Sequence, residues 1–311
     1  MDKKAKPTIV FHIGYPKTGT TWLQTHFLPS LPDTNFIGMD ITNSKRKKPG
    51  IIEKTFSKKG VVWPPYYKYL HQISLFEDSD YSPSKFVRKL KEDVDTERIN
   101  IVTSEGLIRP YSFEKTAFRI SKLAETFRIK ILISIRNQQD IVLSRYFHDH
   151  HIFQQKKFPK YTLKQALFEN PFSCYHPTCS HGFYECLCDK KQMKSITLDQ
   201  YDYFRLANIY ESLLGEGSVS FFVYEHFVSA RFDELCNLSN SLTSSRNEDF
   251  VQSIIGEEPK GARDQESKKM LIDFNGEELN EMQAYILSRF SYSNKLLSEK
   301  YNLSLNDKGY F

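Results

Sequence analysis

An apolar run, Thr8-Ile9-Val10-Phe11-His12-Ile13, breaks at Gly14 into Tyr15-Pro16-Lys17-Thr18-Gly19-Thr20-Thr21 and goes on as Trp22-Leu23-Gln24. A strand that opens into glycines, one lysine and three threonines before a helix forms a cradle for phosphate. The glycines let the backbone approach an anion, and the loop N–H groups and helix N-terminus turn positive dipoles toward it. The common mononucleotide loop places its lysine directly after the last glycine, followed by a hydroxyl for magnesium. Here Lys17 stands two residues before Gly19, so the phosphate logic is shared and the ATPase pattern fails.

A second segment follows the same plan. Ile129-Lys130-Ile131-Leu132-Ile133-Ser134-Ile135 is a nearly continuous apolar run, as a buried parallel strand requires. It ends in Arg136-Asn137-Gln138-Gln139-Asp140-Ile141-Val142-Leu143-Ser144-Arg145-Tyr146. Asn137 is a candidate N-cap, with Asp140 where a capping-box acid belongs. Arg136 then stands at a strand C-terminus beside a helix N-terminus, a good place to hold phosphate. Ser144 lies eight residues on, about 80° around the helix from the Arg136 direction.

Tyr-Pro-Lys-Thr-Gly-Thr-Thr-Trp-Leu at 15–23 resembles the 5′-phosphosulfate loop of sulfotransferases that use 3′-phosphoadenosine 5′-phosphosulfate. Residues 136–146 resemble the 3′-phosphate motif of the same family, commonly written R-N-P-x-D-x-x-x-S-x-Y. Gln138 replaces the proline, a residue that shapes the turn and does not touch phosphate. Phe221-Phe222-Val223-Tyr224-Glu225-His226-Phe227 is similar to the family strand that ends in Tyr-Glu-Asp-Leu, and the tail from Ser293 to Phe311 resembles endings of bacterial members. The resemblance implies an α/β, P-loop-type, three-layer fold with a central, mostly parallel sheet flanked by helices. It implies 3′-phosphoadenosine 5′-phosphosulfate as co-substrate and adenosine 3′,5′-bisphosphate as product.

Strand signals lie near 8–13, 99–104, 129–135 and 218–224. Helix signals lie near 20–28, 83–93, 114–127, 138–150, 198–214, 228–243 and 276–300. That alternation argues for a parallel sheet covered on both faces. No linker divides the chain, so residues 1–311 read as one domain with irregular insertions near 29–82 and 152–196. The second insertion holds Cys174, Cys179, Cys186 and Cys188, with His176 and His181 among them. No C-x-x-C pair is present, and unligated thiols are the reading taken over zinc or disulfides, with no metal expected. The net charge of +5 suits an anionic donor and is too small to imply a nucleic-acid partner. Lys45-Arg46-Lys47-Lys48 reads as a solvated loop or as a contact to an acidic acceptor. Mean hydropathy is −0.51, and no run approaches the roughly 20 apolar residues of a membrane span. No apolar signal region follows the charged N-terminus, and the expected compartment is the cytoplasm.

Sulfuryl transfer needs a cation for the departing phosphate oxygen and a base for the acceptor hydroxyl. Lys17 fits the first need, and Thr18, Gly19, Thr20 and Thr21 supply further donors. By the resemblance, Trp22 either lays its ring on adenine or opens the helix as a core aromatic, and Tyr224 is a second purine-side ring. Ile99-Asn100-Ile101-Val102-Thr103 is a strand followed by Ser104-Glu105-Gly106, and sites in open α/β sheets gather at strand C-termini. Glu105 resembles the glutamate of the Ser-Ser-Glu turn in bacterial and carbohydrate sulfotransferases, where it can act as base. His148, His150 and His151 are its rivals, whereas His12, within a strand, reads as a satisfied core residue. The acceptor expected is a small molecule or glycan, with a carbohydrate or glycolipid hydroxyl favoured by the glutamate and the tyrosine-rich 61–82 segment. The competing functions are a P-loop nucleotide kinase, which lacks its lysine here, and a degenerate nucleotide-binding interaction module. The oligomeric state is not legible.

Overall fold

The computed structural model describes residues 5–15, 17–38, 70, 73, 82–104, 107–108, 113–144, 198, 200–256 and 276–311. Its contacts divide the chain into two compact units. The first gathers 1–108, 114–135 and 208–259, and the second gathers 109–113, 136–207 and 260–311.

The first unit holds five strands: β1 (Thr8–Gly14), β2 (Thr34–Phe36), β3 (Ile99–Thr103), β4 (Arg128–Ile135) and β5 (Val219–Val223). They form one sheet in the order β2-β3-β1-β4-β5, and every pairing is parallel. The fold is the α/β class expected, a parallel sheet flanked by helices. Four strands lie where the apolar runs place them. β2 falls inside the segment read as irregular, because three residues carry no periodicity; it joins the edge through Phe36 opposite Ile101.

Alternation along each strand sorts the sheet into two faces. Val10, Ile101, Leu132 and Phe222 share one face and one buried cluster with Trp22, Leu23, Phe27, Phe227, Leu235, Leu238, Leu242 and Val251. Ile9, Phe11, Ile13, Val102, Ile129, Ile131, Ile133 and Ile135 line the other face, all buried. Fully burying each such side chain contributes about 1.5–3 kcal/mol before chain entropy is counted, so the central strands need no polar face.

Helix boundaries depart from the periodic reading where a local bond decides them. The helix after the first loop is α-helical only over Thr20–Trp22 and is π-wound over Leu23–Phe27, with Leu28 N–H donating to Leu23 O at 2.8 Å. The 114–127 signal resolves into Phe113–Ser121 and a 3-10 turn, Lys122–Glu125. Within the 198–214 signal the chain turns at 200–201 and a helix starts at Tyr203, where Asp202 Oδ1 accepts Arg205 N–H at 3.0 Å and caps it. The 228–243 signal splits at Ala230 into Tyr224–Ser229 and Arg231–Thr243, and Glu248–Ile254 adds a helix with no periodic forewarning. Pro83–Asp93 matches its signal.

In the second unit the long helix Gly276–Tyr301 buries Ile286, Phe290, Asn294 and Leu297 along one stripe, the spacing a helix face requires. Leu305 and Tyr310 of the tail are also buried, around a 3-10 turn at Asn306–Lys308. No helix among the described residues is long and apolar enough to cross a membrane.

Asn100 is a polar residue at 0 % exposure inside β3. Its Nδ2 donates to Thr8 O (3.0 Å) and Asp95 O (2.8 Å), and its Oδ1 accepts Asn35 Nδ2 (2.9 Å) and Asp95 N–H (2.8 Å). One amide thus ties the N-terminal ends of β1, β2 and β3 to the preceding turn. Asn100→Leu, which keeps the volume, is expected to cost about 2–4 kcal/mol because it removes these four bonds at once and leaves their part-buried partners unpaired. The urea midpoint at constant denaturant slope measures it.

Candidate active site

The first loop turns at the C-terminal end of β1. A Cβ built on Gly14 would lie 2.1 Å from Thr20 Cγ2 and 3.3 Å from His12 Nε2, so the helix start folds down onto the end of its own strand. Lys17 (φ 72°) and Gly19 (φ 75°) are both left-handed. For lysine that conformation costs on the order of 1–2 kcal/mol and persists only where its surroundings hold it. Thr18, buried, donates its hydroxyl to Tyr15 O at 2.6 Å and closes the turn from inside. Leu23 N–H then bonds Gly19 O at 3.1 Å, starting the helix. Thr20 is buried and Thr21 exposed.

Two aromatic residues were expected near this loop. Trp22 is 5 % exposed, with its ring 5.0 Å from Phe227 and stacked at 5.7 Å on His26, so it sits in the core cluster. Tyr224 is the ring beside the loop: its Cδ2 lies 3.4 Å from a Cβ built on Gly19. Tyr224 is not the last residue of a strand, as the sequence suggested, but the first of a short helix. The buried Glu234 carboxylate sits at that helix N-terminus, accepting Val223 N–H at 2.8 Å with His226 Nδ1 at 3.5 Å.

Beneath the loop lies a polar network that the sequence did not reveal. His12 Nδ1 is 2.9 Å from Thr103 Oγ1 on β3, and its Nε2 is 2.7 Å from Ser134 Oγ on β4. Gln24, from the π-wound stretch, donates its amide to the same Thr103 hydroxyl at 2.8 Å. His12 and Ser134 are 0 % exposed. His12 is satisfied, as expected, by hydroxyls on the two strands that flank its own. The available signal was a hydroxyl or imidazole near the end of three otherwise apolar strands.

Arg136 and Ser144 belong to the second unit, on the turn and helix 136–144, both half-buried. Asn137 is the expected N-cap, its Oδ1 accepting Gln139 N–H at 2.9 Å. Asp140 Oδ2 lies 3.7 Å from Arg136 Nη2, a long pair whose carboxylate is exposed to solvent screening. Tyr203 donates its hydroxyl to Arg136 O at 2.7 Å. Gln138, read from sequence as a turn-shaping substitute for proline, holds more than a turn. Its buried amide exchanges two bonds with Asn294, at 2.9 and 3.0 Å, and donates to Tyr201 O at 3.1 Å. Asn294 also donates to Tyr310 O, and Asn137 Nδ2 to Lys308 O at 3.0 Å. The left-handed Gly309 leaves room for Asn137, whose Nδ2 would stand 3.1 Å from a Cβ there.

Glu105, His148, His150, His151, the Cys174–Cys188 cluster, Lys45–Lys48 and the basic 260–263 segment lie outside the described residues. Cys236 is a buried free thiol.

The model of a family described as sulfotransferase domain matches residues 7–175, more than half of the 311. Among solved structures, a sulfotransferase from Alicyclobacillus acidocaldarius is similar at 16 % identity, with 94 % of this chain and 96 % of that chain covered and a TM-score of 0.49. The sulfotransferase domain of the Synechococcus PCC 7002 olefin synthase is similar at 11 % identity, with 88 % and 98 % covered and a TM-score of 0.36. No curated protein matches the chain.

Complete burial pulls the His12 pKa down from 6.5 to about 4. Between those values the unfolded chain binds a proton that the folded protein does not. Stability is therefore whole above pH 6.5 and falls as pH drops toward 4, by on the order of 3 kcal/mol from this group. Urea titrations at several pH values should show His12→Asn with a flatter profile than wild type across that window. Gly14→Ala should disorder the loop, since stiff, buried Thr20 cannot yield 1 Å or more, and its donor binding should fall further than its melting temperature implies.

Proposed function

The chain belongs to the sulfotransferase family, and we propose that its first loop takes the 5′-phosphosulfate of the donor while Arg136 and Ser144 take the 3′-phosphate. Members of the family transfer a sulfuryl group from 3′-phosphoadenosine 5′-phosphosulfate and release adenosine 3′,5′-bisphosphate. The observation that carries the residue assignment is the loop itself: left-handed turns at Lys17 and Gly19 packed onto a strand end with no room for a side chain at Gly14. Such turns at a helix N-terminus form an anion-binding concavity.

In this reading Lys17 neutralises the phosphate oxygen as the sulfur–oxygen bond to it breaks, and Thr18, Gly19, Thr20 and Thr21 line the same loop. The acceptor oxygen bonds to sulfur in line, and its proton passes to Glu105. Chain position supports Glu105: Ser104, just before it, donates its N–H to His12 O at 3.1 Å, so the chain leaves β3 where β1 ends. Tyr224, against Gly19, is the better placed ring for the purine, with Trp22 as the floor beneath the loop. The acceptor proposed is a carbohydrate or glycolipid hydroxyl, supported by the Ser-Glu turn and the tyrosine-rich 61–82 segment. The compartment proposed is the cytoplasm, where the donor is made.

Titration with adenosine 3′,5′-bisphosphate, against ATP and without magnesium, tests the donor. Micromolar binding is expected, weakened about 10- to 100-fold in Lys17→Ala and in Arg136→Ala, as loss of a charge-assisted bond implies. Preference for ATP, or strict dependence on magnesium, would sink the assignment. Glu105→Gln should leave bisphosphate binding intact and lower turnover about 10²- to 10⁴-fold. Sulfation of phenols or steroids in preference to glycans would overturn the acceptor class.

A further inference from the structure

We propose that His12, Thr103 and Gln24 form a positioning clamp that sets the gape of the phosphate loop, with Ser134 as its third anchor; this rests on the sulfotransfer reading. The loop has two ends, and both are tied to one hydroxyl. His12, two residues before Gly14, meets Thr103 Oγ1 at 2.9 Å from the strand side. Gln24, four residues past Thr20, meets it at 2.8 Å from the helix side. The His12 ring also abuts the turn, with Nε2 3.3 Å from where a Gly14 side chain would begin. Ser134 Oγ fixes the other ring nitrogen at 2.7 Å, which leaves the imidazole no freedom to rotate.

A bulk structural role does not account for this choice of residues. Replacing both partners of a buried hydrogen bond with apolar groups of the same shape is close to neutral for stability. An all-apolar trio would fill the space as Val10, Ile101 and Leu132 do one pleat earlier on the same face. Hydrogen bonds add direction, holding distances between strand and helix that apolar contacts leave adjustable. The π-wound stretch Leu23–Phe27 carries Gln24 into this bond, and π turns recur at functional sites. The neutral ring serves because one nitrogen donates and the other accepts, and either hydroxyl can turn to match.

The clamp acts on the donor side of the reaction, through Lys17 and the loop N–H groups. The test compares wild type with Thr103→Val, Gln24→Leu, the double variant, His12→Leu and His12→Asn. Calorimetric affinity for adenosine 3′,5′-bisphosphate and the KM values for donor and acceptor are measured at a temperature where each is folded by circular dichroism. Gln24→Leu should weaken the bisphosphate roughly tenfold and Thr103→Val at least as much, because it removes the His12 bond as well; the double variant should add little to Thr103→Val, whose loss already includes the Gln24 bond. Donor KM should rise in step while acceptor KM stays put. His12→Asn, whose amide reaches Thr103 from near the Nδ1 position, should recover most of the affinity that His12→Leu loses. A merely structural role would lower the melting temperature and leave donor affinity unchanged; folded variants within twofold of wild type overturn the clamp. Should Thr103→Val fail to fold, Gln24→Leu and the two His12 variants decide by the same criterion. Wild type that binds no bisphosphate would instead overturn the sulfotransfer reading beneath it.

Discussion

Thr20 can lie over the end of β1 only because Gly14 has no side chain. The methyl group of Thr20 occupies the place a Cβ would take. That contact draws the helix start back over the strand, and the chain between must reverse within five residues. The reversal requires left-handed backbone at Lys17 and Gly19. The strain at Lys17 is offset locally by the Thr18–Tyr15 bond and globally by burial of Trp22, Leu23 and Phe27 under the sheet. The same reversal sets Gly19 against the ring of Tyr224, the first residue of the short helix that follows the edge strand β5.

The Arg136 turn in the second unit is held differently. Neutral groups bond its backbone and cap: a tyrosine hydroxyl on Arg136 O, the Asn137 cap, the Gln138–Asn294 amide pair and two tail carbonyls. Amides can fix a backbone without adding charge. A buried carboxylate in their place would compete with phosphate for the guanidinium, and the acid that does face Arg136, Asp140, is exposed and screened.

Much of this was legible in the chain, for identifiable reasons. The apolar runs of β1, β3, β4 and β5 announce buried parallel strands, and the glycine and lysine placement announces the loop. β2 escaped because three residues have no period. The break at Ala230 and the turn before Tyr203 escaped because local caps and backbone turns, not periodicity, set them. Gln138 was judged by the motif it departs from rather than by what an amide can reach, and its partner Asn294 lies 156 residues away. Trp22 read equally well as a purine platform or a core aromatic in sequence, with Tyr224 the weaker purine candidate; burial separates them, since the Trp22 ring is enclosed by Phe227 and His26 while the Tyr224 ring stands at the loop.

The polar residues of the loop-side face also bear on how the sheet finds its register. Val10 and His12 are successive residues on that face, with Ile101 and Thr103 beside them on β3, while on β4 Leu132 stands opposite His12 and Ser134 opposite Gly14. Along each of the three strands an apolar residue (Val10, Ile101, Leu132) is followed two positions on by a polar one (His12, Thr103, Ser134), so the change from core to site takes one pleat of each strand. A one-residue slip of β1 would turn His12 into the opposite face among Phe11- and Ile13-type neighbours, unpaired and fully desolvated. It would also set Ile13 or Phe11 against the Thr103 and Ser134 hydroxyls. Apolar strands alone tolerate such slips, because Ile, Val and Phe can exchange places at modest cost. The imidazole between two hydroxyls rejects them, and the position of the phosphate loop at the end of β1 depends on that rejection.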